Sequence, residues 1–505
     1  MGDNYDVVII GGGATGTGIV RDLAMRGLSC LLVEKEDLAT GTSGRFHGLL
    51  HSGARYAVRD PHSAQECVQE NRILKEIAAN CLEDTGGYFI ALKEDDPEYI
   101  RVWLEACRQV GVATEEISPS ELLKQEPVLH KDVTKAYLVP DAAVDGFTLA
   151  AANALSAEKL GAKVKNYTRV VGFKREGQRI TGVFLRNAIT GQEWEVNCRL
   201  VINAAGAWAG QIGELAGVNL NIIPDKGVLI VFNHRITGKV LNRLRPPGDG
   251  DIFVPHGSVT IFGTTSRATH DPQDNQATRE DVLQLLAEGR KMIPDLEEMR
   301  LIRAFAGVRP LYQASDQEGT GRQATRDFSL LDHEKLDGLN GFISVVGGKL
   351  TTYRLMAQAA SDLAAQKLGN DKPCLTHLEP LANLGIERDK DKKHLCQCEM
   401  ISKGMLEKAV KGKEQFSLSD IRRLTRLGMG PCQGTFCTYR AAGFYHELKN
   451  LTAQEGNKLL KEHVQERWKG ARPVLWGGQA QEIEINRGIY LSLLNLDRLD
   501  SGDYV

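Results

Sequence analysis

The stretch VVIIGGGATGTG (residues 7–18) decides the fold, because a β-branched apolar run breaks there into a glycine-rich turn. Tyr5 to Ile10 reads as a strand buried in a parallel sheet, and Thr17 to Arg26 follows with Ile19, Leu23 and Met25 at helical spacing until Gly27. Cys30 to Val33 is a second strand ending at Glu34, so the segment is a complete strand-helix-strand unit. In such a unit Gly11, Gly13 and Gly16 permit a tight turn, the approach of a pyrophosphate to backbone N–H groups, and close helix-strand packing. Ala14 and Thr15 stand where the helix N-terminus meets that anion. Glu34, 18 residues beyond Gly16, is at the distance from which a carboxylate accepts ribose hydroxyls. A bare G-x-G-x-x-G also occurs as a structural turn, but strand, helix and acid in register favour a dinucleotide.

At 505 residues the chain is longer than one core usually supports, which predicts two or three domains. A net charge of -3, with 25% of residues charged and the signs interspersed, argues against nucleic acid as a partner. Met1 to Asp6 carries neither the basic and apolar regions of a secretory signal nor a myristoylation signal, so a cytoplasmic location is expected. No apolar run reaches the roughly 18 to 20 residues of a spanning helix, and membrane contact is expected only through a partner or an amphipathic surface.

Farther along, Tyr167 to Phe173 and Arg179 to Asn187 alternate as strands, and Arg199 to Gly206 is a strand ending in small residues that let a ligand approach. Gly341 to Val346 is another β-branched run, Gly347-Gly348-Lys349 a turn, and Leu350 to Leu368 a helix. A second glycine turn at a helix N-terminus suits the other end of the same cofactor, where the dipole can stabilise negative charge on a reduced flavin ring. Residues 85–140 and 215–330 interrupt this α/β material as an inserted, substrate-facing domain. The charge run Glu387 to Lys393 reads as a linker.

The loop ATGTSGRFHGLLHSGARY (residues 39–56) sets Arg45, His47, His51 and Arg55 among glycines and hydroxyls, donors that suit a pyrophosphate and a ring. With NAAGAWA (203–209), GTTS (263–266), AGVRPL (306–311), QATRDFSL (323–330) and GGKLTTYR (347–354), it resembles the FAD-dependent glycerol-3-phosphate dehydrogenases, within the D-amino-acid-oxidase-like flavoproteins. The likeness runs in order over roughly residues 5 to 370. It implies FAD held by Gly11, Gly13, Ala14, Thr15, Gly16, Glu34, Thr42, Ser43, Gly48, Leu49, Val170, Gly206, Gly347, Gly348 and Leu350. It also implies a phosphorylated substrate bound by Arg55, Tyr56, Arg309, Arg326, Lys349 and Arg354, with His51, Arg309 and Lys349 at the reacting end. Hydride would pass from C2 of glycerol 3-phosphate to the flavin while a base takes the hydroxyl proton. The chain departs from the aerobic members, which lead the central substrate strand with a histidine in a GSH-type motif. Lys226-Gly227-Val228 stands there instead, leaving the base open between His51 and His256. A related flavoprotein for another 2-hydroxy acid or an amine is the alternative.

Six of the ten cysteines, Cys30, Cys67, Cys81, Cys107, Cys198 and Cys374, are scattered among apolar neighbours as buried reduced thiols. The other four make two close pairs, Cys396-x-Cys398 and Cys432-x-x-x-x-Cys437, separated by 33 residues. Four thiolates suit zinc or an iron-sulfur cluster, and neither spacing is the C-x-x-C of most zinc sites. Asp420 to Leu427 reads as helix, broken by Gly428 to Pro431 so that Cys432 falls on a loop. The arrangement resembles the bacterioferritin-associated-ferredoxin-like domain and implies a 2Fe-2S cluster, with a structural zinc as the alternative.

The expected architecture is α/β and α+β. A Rossmann-like FAD-binding domain (about 1–84, 141–214 and 331–375) carries the inserted mixed-sheet substrate domain, and residues 376–505 form a small helical iron-sulfur domain and tail. This combination resembles the anaerobic, multi-subunit branch of the family. That implies companion subunits carrying electrons to membrane quinone, with this chain peripheral at the inner face of the cell membrane. Ile483 to Leu494 offers either a docking surface or a helix packed on its own domain.

Overall fold

The structure, a computed structural model, describes residues 3–312, 327–386, 393–411 and 417–496. Strand Asn4–Ile10 lies between Glu193–Asn203 and Cys30–Val33, all parallel, and Lys163–Lys165 extends the row. Phe342–Gly347 pairs in parallel with the end of Glu193–Asn203, and Phe328–Asp332 pairs antiparallel with it. The hairpin Thr168–Glu176/Arg179–Asn187 joins the start of Glu193–Asn203 and completes an eight-stranded sheet. That pairing explains why this strand starts at Glu193 rather than Arg199: its first residues are ordered by a partner that local pattern does not reveal.

Helix Ala14–Met25 leaves the first strand through Gly11-Gly12-Gly13 and is buried on nearly every side. It packs between Gly146–Lys159 and Tyr353–Leu368, and small residues allow that closeness. A Cβ at Gly16 would sit 1.9 Å from the Gly11 carbonyl oxygen, so only glycine lets the helix lie this near the turn. Helix Tyr353–Leu368 starts three residues later than the sequence suggests, because Lys349 to Thr352 close a turn first. Gly347 and Gly348, both at positive φ, reverse the chain there.

A nine-stranded mixed sheet draws its strands from residues 87–139 and 222–312. Its spine is Ile222–Phe232, paired along its length with Leu301–Tyr312. Phe232, Phe253, Phe262, Leu285 and Leu296 pack beneath it, each fully buried and each contributing about 1.5–3 kcal/mol by leaving water. A three-stranded sheet of Leu49–Leu50, Ala142–Val144 and Leu82–Glu83 accompanies the two large ones.

The C-terminal helices Lys403–Val410, Leu418–Thr425, Cys437–Lys449 and Ala453–Ala471 surround their own core of Leu406, Ile421, Ala441 and Tyr445. Leu418–Thr425 begins at a capping box in which Ser417 accepts from the Asp420 N–H, and it ends at Arg426 in the left-handed region. This part is fastened to the rest by polar contacts. Tyr167 Oη donates to Asp420 at 2.5 Å, Arg423 pairs with Asp37 at 2.9 Å, and Ser258 donates to Glu399 at 2.6 Å. Helix Gly477–Arg487 continues into a wider turn that buries Tyr490 in this core and leaves Leu493 77% exposed. Among the described residues no helix is long and apolar enough to cross a membrane. The six scattered cysteines are buried and unpaired, and burial pushes their thiols up.

Candidate functional site

A cavity of about 1440 Å³ is lined by the glycine turn and by residues of both large sheets. Gly11, Gly13, Ala14 and Thr15 line it at the end of the first strand, where the Ala14 N–H donates to Ser43 Oγ at 3.0 Å. Glu34 accepts from the Gly12 N–H at 2.7 Å and the Glu36 N–H at 2.9 Å, and burial raises its carboxyl against those bonds. Thr42, Ser43, Leu49, Val170, Gly206, Gly347, Gly348 and Leu350 complete this part of the wall.

Among the cations and rings lining the same cavity are Arg309, Arg55 and Lys349 and the rings of His47, His51 and Tyr56. Arg309 is held by Asp225 at 2.5 Å and donates to Thr264, while Arg55 pairs with buried Asp251 at 3.0 Å. Lys349 donates to Ser63 at 2.9 Å and stands 5.3 Å from the Tyr56 ring centre. His47, His51 and Tyr56 form a run of rings with centroids 5.5 and 5.1 Å apart, and Tyr56 Oη is 3.5 Å from His51 Nε2. Burial, then the Arg55 and Arg309 charges, lowers His47 to about 3. Burial, then His47, Arg55 and Lys349, holds His51 well below the ordinary imidazole value, so at neutral pH it is uncharged and able to take a proton.

Several expected residues lie elsewhere. Gly16 packs under Gly11 rather than facing the cavity. Gly48 and His256 line a second, smaller cavity on the other side of the 39–56 loop, so His256 does not meet the cations above. Arg354 is turned away and buried in an ion pair with Glu70 at 2.5 Å. Arg326 lies outside the described residues. Lys226, at the position of the departing motif, is paired with Asp274 at 2.8 Å.

The four cysteines come together across their two motifs. Cys398 Sγ is 3.7 Å from Cys432 Sγ, and the Cys437 thiol donates to Cys396. That hydrogen bond brings Cys396 down to about 6 despite burial, whereas burial and Cys432 push Cys398 up to about 11. Among the described residues no three of these sulfurs lie within 4.8 Å of one another, yet the two pairs stand near enough that Cys396 acts on Cys398 and Cys432 on Cys437 electrostatically.

A family model described as FAD dependent oxidoreductase matches residues 6–354. The chain belongs to that family. It is 42% identical to a subunit of the anaerobic glycerol-3-phosphate dehydrogenase of Escherichia coli K12, over 98% of this chain and 97% of the relative. It is 40% identical to a subunit of the same enzyme in Haloferax volcanii, over 98% and 92%. In fold it is similar to the glycerol-3-phosphate dehydrogenase of Bacillus halodurans complexed with FAD, at a TM-score of 0.60 and 23% identity, covering 99% and 96%.

The first cavity fits this family's cofactor by its own features. Its volume exceeds the roughly 300–1,000 Å³ of most small-molecule pockets. Gly206, at positive φ, has open space where a Cβ would stand, and the Trp208 indole N–H is buried in the wall without a partner among the described residues. Trp208 stood in the NAAGAWA motif without an assigned role, and Lys35, whose ammonium stands 3.7 Å from the Trp208 ring, was not marked by any local spacing. Thr264 stood in the GTTS motif, likewise without an assigned role; it reaches the cavity beside a pairing of two strands distant in sequence. The family model ends before the cysteine-bearing part, which the anaerobic relatives span.

Proposed function

We propose that the chain oxidises sn-glycerol 3-phosphate to dihydroxyacetone phosphate with FAD. In this reading its electrons leave through a 2Fe-2S cluster on Cys396, Cys398, Cys432 and Cys437, to partner subunits and a quinone pool. The observation that carries it is 42% identity along 98% of the chain to a protein bearing that activity in its name. FAD, once bound, supplies the two-electron acceptor, and the cluster accepts electrons singly.

The chain's own residues supply the rest. Arg55 and Lys349 offer the substrate's phosphate a fork and a point charge, with Arg309 anchored by Asp225 beside them. His51, neutral and within reach of Tyr56, takes the hydroxyl proton. Gly11, Gly13, Ala14 and Thr15 receive the pyrophosphate, Glu34 the ribose, and Gly347, Gly348 and Leu350 the ring end. The cysteine spacings, neither of them the C-x-x-C of most zinc sites, favour two irons over one zinc. Membrane association, in this reading, comes from the partners.

Anaerobic titration of the purified chain with glycerol 3-phosphate tests the reading. The expected result is bleaching of the flavin absorbance, followed by the paramagnetic signal of a reduced cluster, with iron and acid-labile sulfide in the protein. A flavin that stays oxidised in excess substrate defeats the activity; zinc without sulfide defeats the relay.

A further inference from the structure

We propose that the second cavity is a binding site for a phosphate-bearing anion, set in the seam between the cysteine-bearing helices and the two large sheets. The cavity has a volume of about 490 Å³, within the range of small-molecule sites. Three separate elements send basic groups to it: Arg303 from strand Leu301–Tyr312, Arg422 from helix Leu418–Thr425, and His463 and Arg467 from helix Ala453–Ala471. Among the described residues, Arg303 Nε, Arg422 Nε, Arg467 Nη1 and His463 Nδ1 are all buried without a hydrogen-bond partner, and His463 is only 3% exposed. Buried donors are nearly always satisfied, so three orphaned guanidinium N–H groups on one cavity, with the His463 ring nitrogen beside them, indicate an absent acceptor.

The acids of the wall do not fill that role. Asp37 and Asp420 are taken by Arg423 and Asp145 by Arg426 at 3.6 Å; Glu466 pairs with Lys469 at 3.0 Å, and its charge also reaches Arg303 and Arg422 but leaves their Nε atoms without a hydrogen bond among the described residues. Glu36 and Glu462 are exposed. Burial pulls Arg303 to about 10 against the Glu466 charge, and burial with the neighbouring guanidinium charges holds Arg422 and His463 well down. Planar forks converging from three directions match the tetrahedral oxygens of a phosphate, and a multiply charged anion would relieve the three guanidinium groups together. Such a ligand would also tie the C-terminal helices to the strand Leu301–Tyr312, independently of what the first cavity does.

Thermal unfolding of the holoprotein with pyrophosphate or inorganic phosphate, against chloride at matched ionic strength, tests this. The parent should gain stability, and Arg303→Met and Arg422→Met should each weaken the anion's apparent affinity by about tenfold or more. Each unliganded variant should melt no lower than the parent, since an unpaired buried charge has gone. Lys349→Gln, in the first cavity, should keep the stabilisation. The proposal is overturned if the parent gains nothing beyond chloride, if both methionine variants respond as the parent does, or if Lys349→Gln abolishes the response. Unliganded methionine variants that melt lower than the parent also overturn it, by making the guanidinium groups structural.

Discussion

Arg309 reaches the first cavity by lying across Gly227, where a methyl group would stand 2.5 Å from the guanidinium. The strand can therefore carry Lys226-Gly227-Val228 at the position of the GSH-type motif, because the glycine makes room for a cation rather than presenting a base. Arg309→Gln should lower kcat/KM for glycerol 3-phosphate by about a hundredfold, mostly through KM, in steady-state assays. Gly227→Ala should reproduce part of that loss by displacing the same group. The histidines make a second prediction. His47 at about 3, His256 at about 4, and His51 and His463 held well down all have folded values below the unfolded 6.5. The native state thus stays neutral while the unfolded chain takes up protons. Their contribution is fully present above about pH 6.5 and is lost as pH falls toward the folded values, at about 1.4 kcal/mol per pH unit for each histidine. Urea unfolding at pH 7.5 and 5.5 should show that loss, and His47→Gln should flatten it. With His51 as base, kcat/KM should show no protonation limb near pH 6.5.

At the scale of elements, the strand-turn-helix of residues 4–25 was legible because its signals are local: β-branched run, glycines and helical spacing lie within one window. The cavity wall drawn from residues 39–56, 306–311 and 347–350 was legible only through the family's motifs, since nothing in their spacing says they meet. Arg354 shows the limit of that route. It sits five residues past Lys349 in one motif, yet the helix that begins at Tyr353 carries it away from the cavity to Glu70 on helix Pro61–Ile77. With Thr376 and Gln358 it forms a buried polar knot joining two helices. Removing one partner strands the other's charge, so Arg354→Gln should cost about 3–5 kcal/mol by denaturant titration. Enzyme that still folds should keep its KM, in contrast to Arg309→Gln.

Across the whole molecule, the sequence gathers its four clustered cysteines as neighbours, 396 with 398 and 432 with 437, but the fold pairs them crosswise. The crossing arises because Cys396 lies in a hairpin strand and Cys398 in the turn beyond it, while Cys432 precedes the helix that Cys437 opens. Each close pair therefore joins two chain segments, and a metal at each pair would bind the hairpin to the helical layer. Cys398→Ser breaks one pair and leaves the other thiols in place. Because the C-terminal part is also held by Arg423–Asp37 and Tyr167–Asp420, the variant should stay docked on the flavin-bearing part. Glycerol 3-phosphate should still bleach its flavin in a single turnover, whereas iron content and electron delivery to a quinone analogue should be lost. A variant that loses flavin reduction as well would mean the thiolates serve to hold the first cavity in shape, and the cluster would then be a structural element of the dehydrogenase rather than its outlet.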